Sequence, residues 1–259
     1  MIDQGSIIVP AINRALDILE YIGTSNQSVA IKELATSLNI PTASCFRSVK
    51  NLLARGYIVE DRNISGQYLL GFKVLMLSEQ LQNKLDIRSL AINSMRKTAN
   101  ETNHAVQLAV LEGSNVIYIE QIMPITPVKA IAPLRTALPV NVSALGKILY
   151  AYLPYHIRAN FLSVVDFAKY TDNSIIDKTT FARELDVIEQ NGISFDNEEY
   201  SIGIGCMAVP IFNHNRQCVA SLGITGTIRD YRDPERKTQL MTALIDAAQE
   251  ISMNMGFNP

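Results

Sequence analysis

The sequence predicts an α+β chain in two parts. A mainly helical N-terminal region ends in a short hairpin, and a larger C-terminal region folds as an antiparallel sheet covered by helices. Three observations predict this. Apolar residues recur at helical spacing three times before Gly56 and then give way to two short β-rich runs. A helical stretch without Gly or Pro follows over Lys73–Asp86. Beyond it, β-rich runs come in pairs split by turn formers, with helices in separate runs rather than in βαβ alternation. A length of 259 residues fits two domains. The expected division is 1–72, a linker helix over 73–86, and 87–259.

Helical periodicity defines each N-terminal element in turn. Ile12, Ala15, Leu16, Leu19 and Ile22 mark a first amphipathic helix, ended by Gly23 and the polar stretch Thr24–Ser28. Ile31, Leu34, Ala35 and Leu38 mark a second, broken by Asn39-Ile40-Pro41. Thr42 is expected to cap a third, which runs to Arg55 before Gly56. Its apolar stripe is Cys45, Phe46, Val49, Leu52 and Leu53; Ala43, Ser44, Arg47, Lys50 and Asn51 lie opposite. Strands Tyr57–Val59 and Gln67–Leu70 flank the turn-forming segment Asp61–Gly66. Two helices joined by a tight turn, then a hairpin, describe a winged helix-turn-helix, whose second helix enters the DNA major groove. No acid lies between Glu33 and Glu60, so Arg47 and Lys50 would meet phosphates or guanine edges unopposed. On the linker helix, Leu77, Leu81 and Leu85 are natural contacts for a second copy of the chain.

In the C-terminal region Leu90, Ala91, Met95 and Ala99 give a helix over Ile87–Asn103. His104–Leu111 and Val116–Ile122 read as a hairpin, and Val128–Leu134 as a further strand. Ser143–Leu153 and Asp177–Asn191 read as helices, Met207–Phe212 and Cys218–Thr225 as a second hairpin, and Pro234–Met255 as a closing helix.

Composition excludes several classes. With 47% hydrophobic and 19% charged residues the chain can build a core and is not a disordered tail. A net charge of −2 excludes a globally polyanion-binding protein. Three widely spaced Cys argue for a reducing compartment, and no leader or membrane span is evident, so a cytoplasmic protein is expected. Gly203-Ile204-Gly205-Cys206-Met207-Ala208 fits G-x-G-x-x-A, but Asn197-Glu198-Glu199 precedes it and a strand containing Pro210 follows, so it is no dinucleotide fingerprint. Leu145-Gly146-Lys147-Ile148 lacks the remaining residues of a P-loop. His104, His156 and His214 are too far apart for a metal spacing. Neither cofactor nor metal is expected, and no catalytic residue.

Three segments carry a family resemblance. One is Ile12-Asn13-Arg14-Ala15-Leu16-Asp17-Ile18-Leu19 with Leu34-Ala35 and Ile40–Arg47. Another is Leu138–Lys147, LPVNVSALGK. The last is Gly192–Glu199, GISFDNEE, running on to Gly203–Phe212, GIGCMAVPIF. Over nearly its whole length the chain resembles the isocitrate-lyase-regulator (IclR) family of bacterial transcription regulators.

The resemblance implies an N-terminal winged helix-turn-helix on double-stranded operator DNA and a C-terminal effector domain similar to GAF domains. It implies dimers or tetramers, a repressor or activator role, and control of operator binding or RNA polymerase access. The DNA-binding residues would be Arg14, Thr42, Ala43, Ser44, Arg47 and Lys50. Family effectors are commonly small organic acids, sugar-derived or aromatic. By resemblance the effector pocket lies between the sheet and the helix starting near Ser143, lined at Ala130, Ala144, Leu145, Asp196, Ile204, Cys206, Gly223 and Thr225. Residue-level physics adds Ser143, since a helix start with free amides at Ala144 and Leu145 suits a carboxylate. Gly223 stands where the family often has Ser, which removes a hydroxyl and is expected to add room for a larger ligand. Ala11, Thr42 and Ala43 also depart from the family pattern. The competing reading is a thiol-based redox sensor or small-molecule thiol enzyme using Cys206, with Cys218 as its partner.

Overall fold

The computed structural model describes residues 9–82, 86–124 and 137–258. The chain divides into two compact units at residues 84 and 85.

The first unit opens with helix α1 (Pro10–Thr24), whose proline occupies the first turn, where an N–H has no partner to lose. Strand β1 (Val29–Ala30), helix α2 (Ile31–Ser37) and helix α3 (Thr42–Ala54) follow, then β2 (Ile58–Glu60) and β3 (Gln67–Leu70). The strands form an antiparallel sheet ordered β1-β3-β2. Two-residue β1 is too short to show a period, so the sequence did not reveal it. Ile18, Ile22, Leu34, Cys45, Val49, Leu52 and Ile58 make the core. Two expectations change here. Ile12 and Leu16 are exposed, because α1 turns the Ile18 and Ile22 side inward. Thr42 is not a cap: Pro41 holds that position, and no side chain caps the helix. Gly56 has φ +77°, the left-handed conformation expected just beyond α3. Helix α4 (Phe72–Gln82) follows, and residues 83–85 of the expected linker helix lie outside the described residues.

The second unit begins with helix α5 (Ile87–Thr102), capped by the Asp86 carboxylate on the Arg88 amide at 3.1 Å. Next come β4 (Ala105–Glu112), β5 (Asn115–Ile122) and β6 (Ala137–Leu138), a 3-10 turn (Val140–Val142), and helices α6 (Ala144–Ala151), α7 (Tyr155–Val164) and α8 (Lys178–Asn191). Strands β7 (Ser194–Asn197), β8 (Ile204–Phe212) and β9 (Cys218–Thr227) lead to α9 (Ile228–Arg232) and α10 (Pro234–Asn254). The antiparallel sheet is ordered β6-β5-β4-β9-β8-β7. Its central strands alternate between two apolar faces. Val106, Leu108, Met207, Leu222 and Ile224 pack on Met95, Leu240 and Leu244 of α5 and α10. Ala109, Cys206 and Ala208 pack toward Leu145, Ile148, Phe181 and Leu185 of α6 and α8. The expected strand Val128–Leu134 lies outside the described residues. β7 stops at Ser194, opposite Ala208, so it leaves Val209–Phe212 of β8 uncovered. Along that edge Pro210 has no N–H, and the Phe212 N–H donates to Ser252 Oγ at 3.0 Å.

Candidate DNA-binding face and effector cavity

Helix α3 owes its orientation to Cys45, Val49 and Leu52, which are buried against α1 and α2. Anchoring that stripe turns Thr42, Ala43, Arg47, Lys50 and Asn51 outward and leaves Ser44 half-buried. Arg47 donates to Ser44 Oγ at 3.3 Å. Phe46, expected in the core stripe, is exposed, and the Lys50 ammonium lies 5.5 Å from its ring centroid. Half-buried Arg14 borders a groove of about 600 Å³ between α1 and α3, together with Ser44, Arg47 and Arg55. Its Nε is buried without a hydrogen-bond partner among the described residues. Five of the six expected DNA contacts thus fall on α3, and Arg14 joins them from α1.

In the second unit, Ser143 caps α6. Its Oγ accepts from the Gly146 amide at 3.0 Å and pairs with the Tyr118 hydroxyl at 2.8 Å. Lys147 N already bonds Ser143 O at 2.9 Å, so the amides of Ala144 and Leu145 head the helix ahead of its first intrahelical bond. Against this helix start lies a cavity of about 30 Å³, room for one or two waters, lined in part by Ser143, Ala144, Asp196, Ile204, Cys206 and Thr225. Five lining residues were not expected: Gln107, Tyr118, Leu138, Val142 and Tyr200. Gln107 was legible as a polar residue inside an apolar strand; it accepts from the Thr225 hydroxyl at 2.8 Å.

Of the other expected lining residues, two stand apart and one is not described. Ala130 lies outside the described residues. Leu145 and Gly223 pack on each other behind the cavity: a Cβ on Gly223 would meet Leu145 Cδ1 at 2.5 Å. The missing side chain therefore admits Leu145, and the extra room expected for a ligand is already filled.

Burial controls the charges around the cavity. It raises the Asp196 carboxyl to about 6, against the opposing pull of the Glu199 and Tyr200 amides and of Lys147. Asp196 Oδ1 accepts from the Glu199 amide at 2.7 Å, which ties the following loop to β7. Burial also pushes the Tyr118 phenol above its usual range and the Cys206 thiol up to about 12. While it is buried in this way, the thiol is not an activated nucleophile. The strand register separates the two cysteines as well. Cys206 pairs with Thr225 and Cys218 with Phe212, six positions further along β8, or about 20 Å at 3.3 Å per residue. His214 lies beyond that far end of β8. The thiol reading fails on register and ionisation together.

Comparison with known proteins agrees. The family model for the bacterial transcriptional regulator IclR C-terminal region matches residues 79–253, and that for the IclR helix-turn-helix domain matches residues 11–62. The transcriptional repressor IclR of Escherichia coli is 27% identical over 250 residues, covering 96% of this chain and 90% of the relative. The Thermotoga maritima IclR crystal structure is 26% identical with a TM-score of 0.64, covering 95% of this chain and 98% of that one. The Agobacterium tumefaciens repressor BlcR shares the fold at a TM-score of 0.81 and 22% identity, covering 96% and 98%. Such relatives are regulators, not enzymes, and among the described residues no helix is long and apolar enough to cross a membrane. The chain is a DNA-binding transcription regulator and belongs to the IclR family.

Proposed function

We propose that this regulator responds to a small organic acid held in the cavity at the start of α6. The observation that carries the reading is the small cavity lined by Ser143 and Ala144 at this helix start, where the neighbouring donor on Gly146 is already capped by Ser143. A helix N-terminus carries about half a positive charge and unpaired donors, so it suits a carboxylate. Asp196 would face the ligand's hydroxyl or other donor rather than its carboxylate. At about 30 Å³ the cavity as it stands holds a water or two, so an organic acid of any size requires the walls to part, a sugar-derived or aromatic one most of all.

In the same reading Arg14, Thr42, Ala43, Ser44, Arg47 and Lys50 meet the operator, Arg47 foremost. The functional unit is at least a dimer, the domain division follows 1–72, 73–86 and 87–259, and the protein works in the cytoplasm on operator or polymerase access. A thermal-shift comparison of lactate with lactamide, and of other small acids with their amides, tests the carboxylate site. Ligand binding raises stability by mass action. Acids should stabilise the second unit and amides should not; equal effects, or stabilisation by amines, would overturn the reading.

A further inference from the structure

The cavity is closed on one side by the loop between β7 and β8. Its root is firmly held. Glu199 gives its carbonyl to the Ser174 hydroxyl at 2.7 Å and its amide to Asp196 at 2.7 Å, and Lys147 meets its carboxylate. Beyond that root, Tyr200 and Ile204 wall the cavity, while Ile202 at the tip is 68% exposed and adds nothing to the core. The far end of the loop returns at Gly203, with φ +84°.

One side chain fastens that far end. Glu198 is itself in the left-handed region, at φ +59°, an uncommon conformation for a residue with a side chain. Its Oε1 accepts from the Gly203 amide at 2.7 Å, and its other oxygen is paired with Arg232 of α9. Arg232 is largely exposed, whereas Glu198 is nearly buried. The loop is thus anchored at one end by buried polar bonds; at the other, the Gly203 carbonyl accepts from the Ile228 amide at 2.9 Å and the side-chain clasp is one that water and salt can reach.

We infer that Tyr200–Gly203 is a flap over the cavity, clasped shut by the Glu198–Arg232 pair, and that its opening admits ligand. The inference rests on the reading of the cavity as an effector site only for the flap's purpose. Its motion is testable without any effector, so the two can fail separately.

The reporter is Cys206, whose thiol lies in the cavity wall and is 6% exposed. Cys218 lies far along the same hairpin, and Cys45 lies in the core of the first unit, so both register general loosening instead. The full-length native protein is labelled with N-ethylmaleimide, and each cysteine is followed by peptide mass spectrometry. Arg232→Ala should speed labelling at Cys206 roughly threefold or more, with Cys45 and Cys218 unchanged; an exposed ion pair is a modest clasp, so a modest factor is expected. Glu198→Gln, which keeps a carbonyl for the Gly203 amide, should do the same. Raising salt from 0.05 to 0.5 M should speed Cys206 in the parent protein and not in Arg232→Ala, because salt screens exposed charges. Unchanged Cys206 labelling in both variants overturns the inference. So does a rise shared equally by all three cysteines.

Discussion

The ammonium of Lys147 lies 2.7 Å from a Glu199 carboxylate oxygen, and the lysine is fully buried. It also donates to the Phe195 carbonyl at 2.8 Å. The pair joins the second turn of α6 to the loop that closes the cavity. Breaking a buried pair by removing one partner leaves the other charge without compensation. Lys147→Met should destabilise the second unit by about 3–5 kcal/mol, measured by urea unfolding. Adding Glu199→Gln should restore a large part of that loss; no restoration would show that the lysine stem, not its charge, matters.

Gly223 and Leu145 form a second such relationship, steric rather than ionic. A methyl group at Gly223 would also crowd Met207 O at 3.2 Å, so neither neighbour yields easily. Gly223→Ala should cost roughly 1–3 kcal/mol by overpacking. In Leu145→Ala the same change should cost far less, giving a double-mutant cycle that departs strongly from additivity. Additive losses would place the clash elsewhere.

Asp196 predicts a pH signature. Burial raises its carboxyl from the ordinary 3.8 to about 6 in the folded chain, so between those values the folded state holds a proton that the unfolded chain has released. Stability from this group is therefore full below the ordinary value, falls as pH rises through the window, and levels off above about 6. A rise of that size is worth about 3 kcal/mol across the whole window. Asp196→Asn should remove this component while its Oδ1 still accepts from the loop amides. Urea unfolding on either side of the window should show the parent losing more stability with rising pH than the variant loses. Identical pH dependence in the two proteins would refute it.

Arg47→Ala should weaken operator binding by roughly 1–3 kcal/mol if the guanidinium reads a base. Lys50→Ala should weaken all sequences alike and flatten the salt dependence. Gel-shift titrations at two salt concentrations separate these outcomes, and unchanged affinity for Arg47→Ala would remove it from the interface.

Light scattering at micromolar protein should give at least the mass of a dimer. Helix α4 exposes Phe72, Leu75 and Met76 on one side, an apolar face unsuited to water. Of the three leucines expected to pair, Leu77 is exposed, whereas the Leu81 and Leu85 side chains lie outside the description. A monomeric mass would count against paired half-sites.

Periodicity revealed α1, α2, α3, α5 and α10 to within a few residues, because each buries one continuous stripe. It missed α7, in which only Arg158 and Leu162 are buried. That helix is held instead by the Arg158 guanidinium on Asp186 and Glu189 of α8, both at 3.0 Å. Local rules likewise found Ser143 as a cap but not Tyr118, which is brought to Ser143 by strand pairing across 25 residues. Gly223 defeats a local reading for the same reason: a sequence shows that a side chain is missing, not which neighbour fills its place.

The uncovered margin of β8 has a consequence for the cell. A bare strand invites any other extended chain to stitch onto it and grow a fibril. Pro210 offers no stitch, and Ser252 has already taken the one at Phe212. Along this margin, then, neither Pro210 nor Phe212 has an amide left to offer another copy of the chain. Ser252→Ala should leave binding untouched yet lower the concentration at which the warmed protein first turns cloudy.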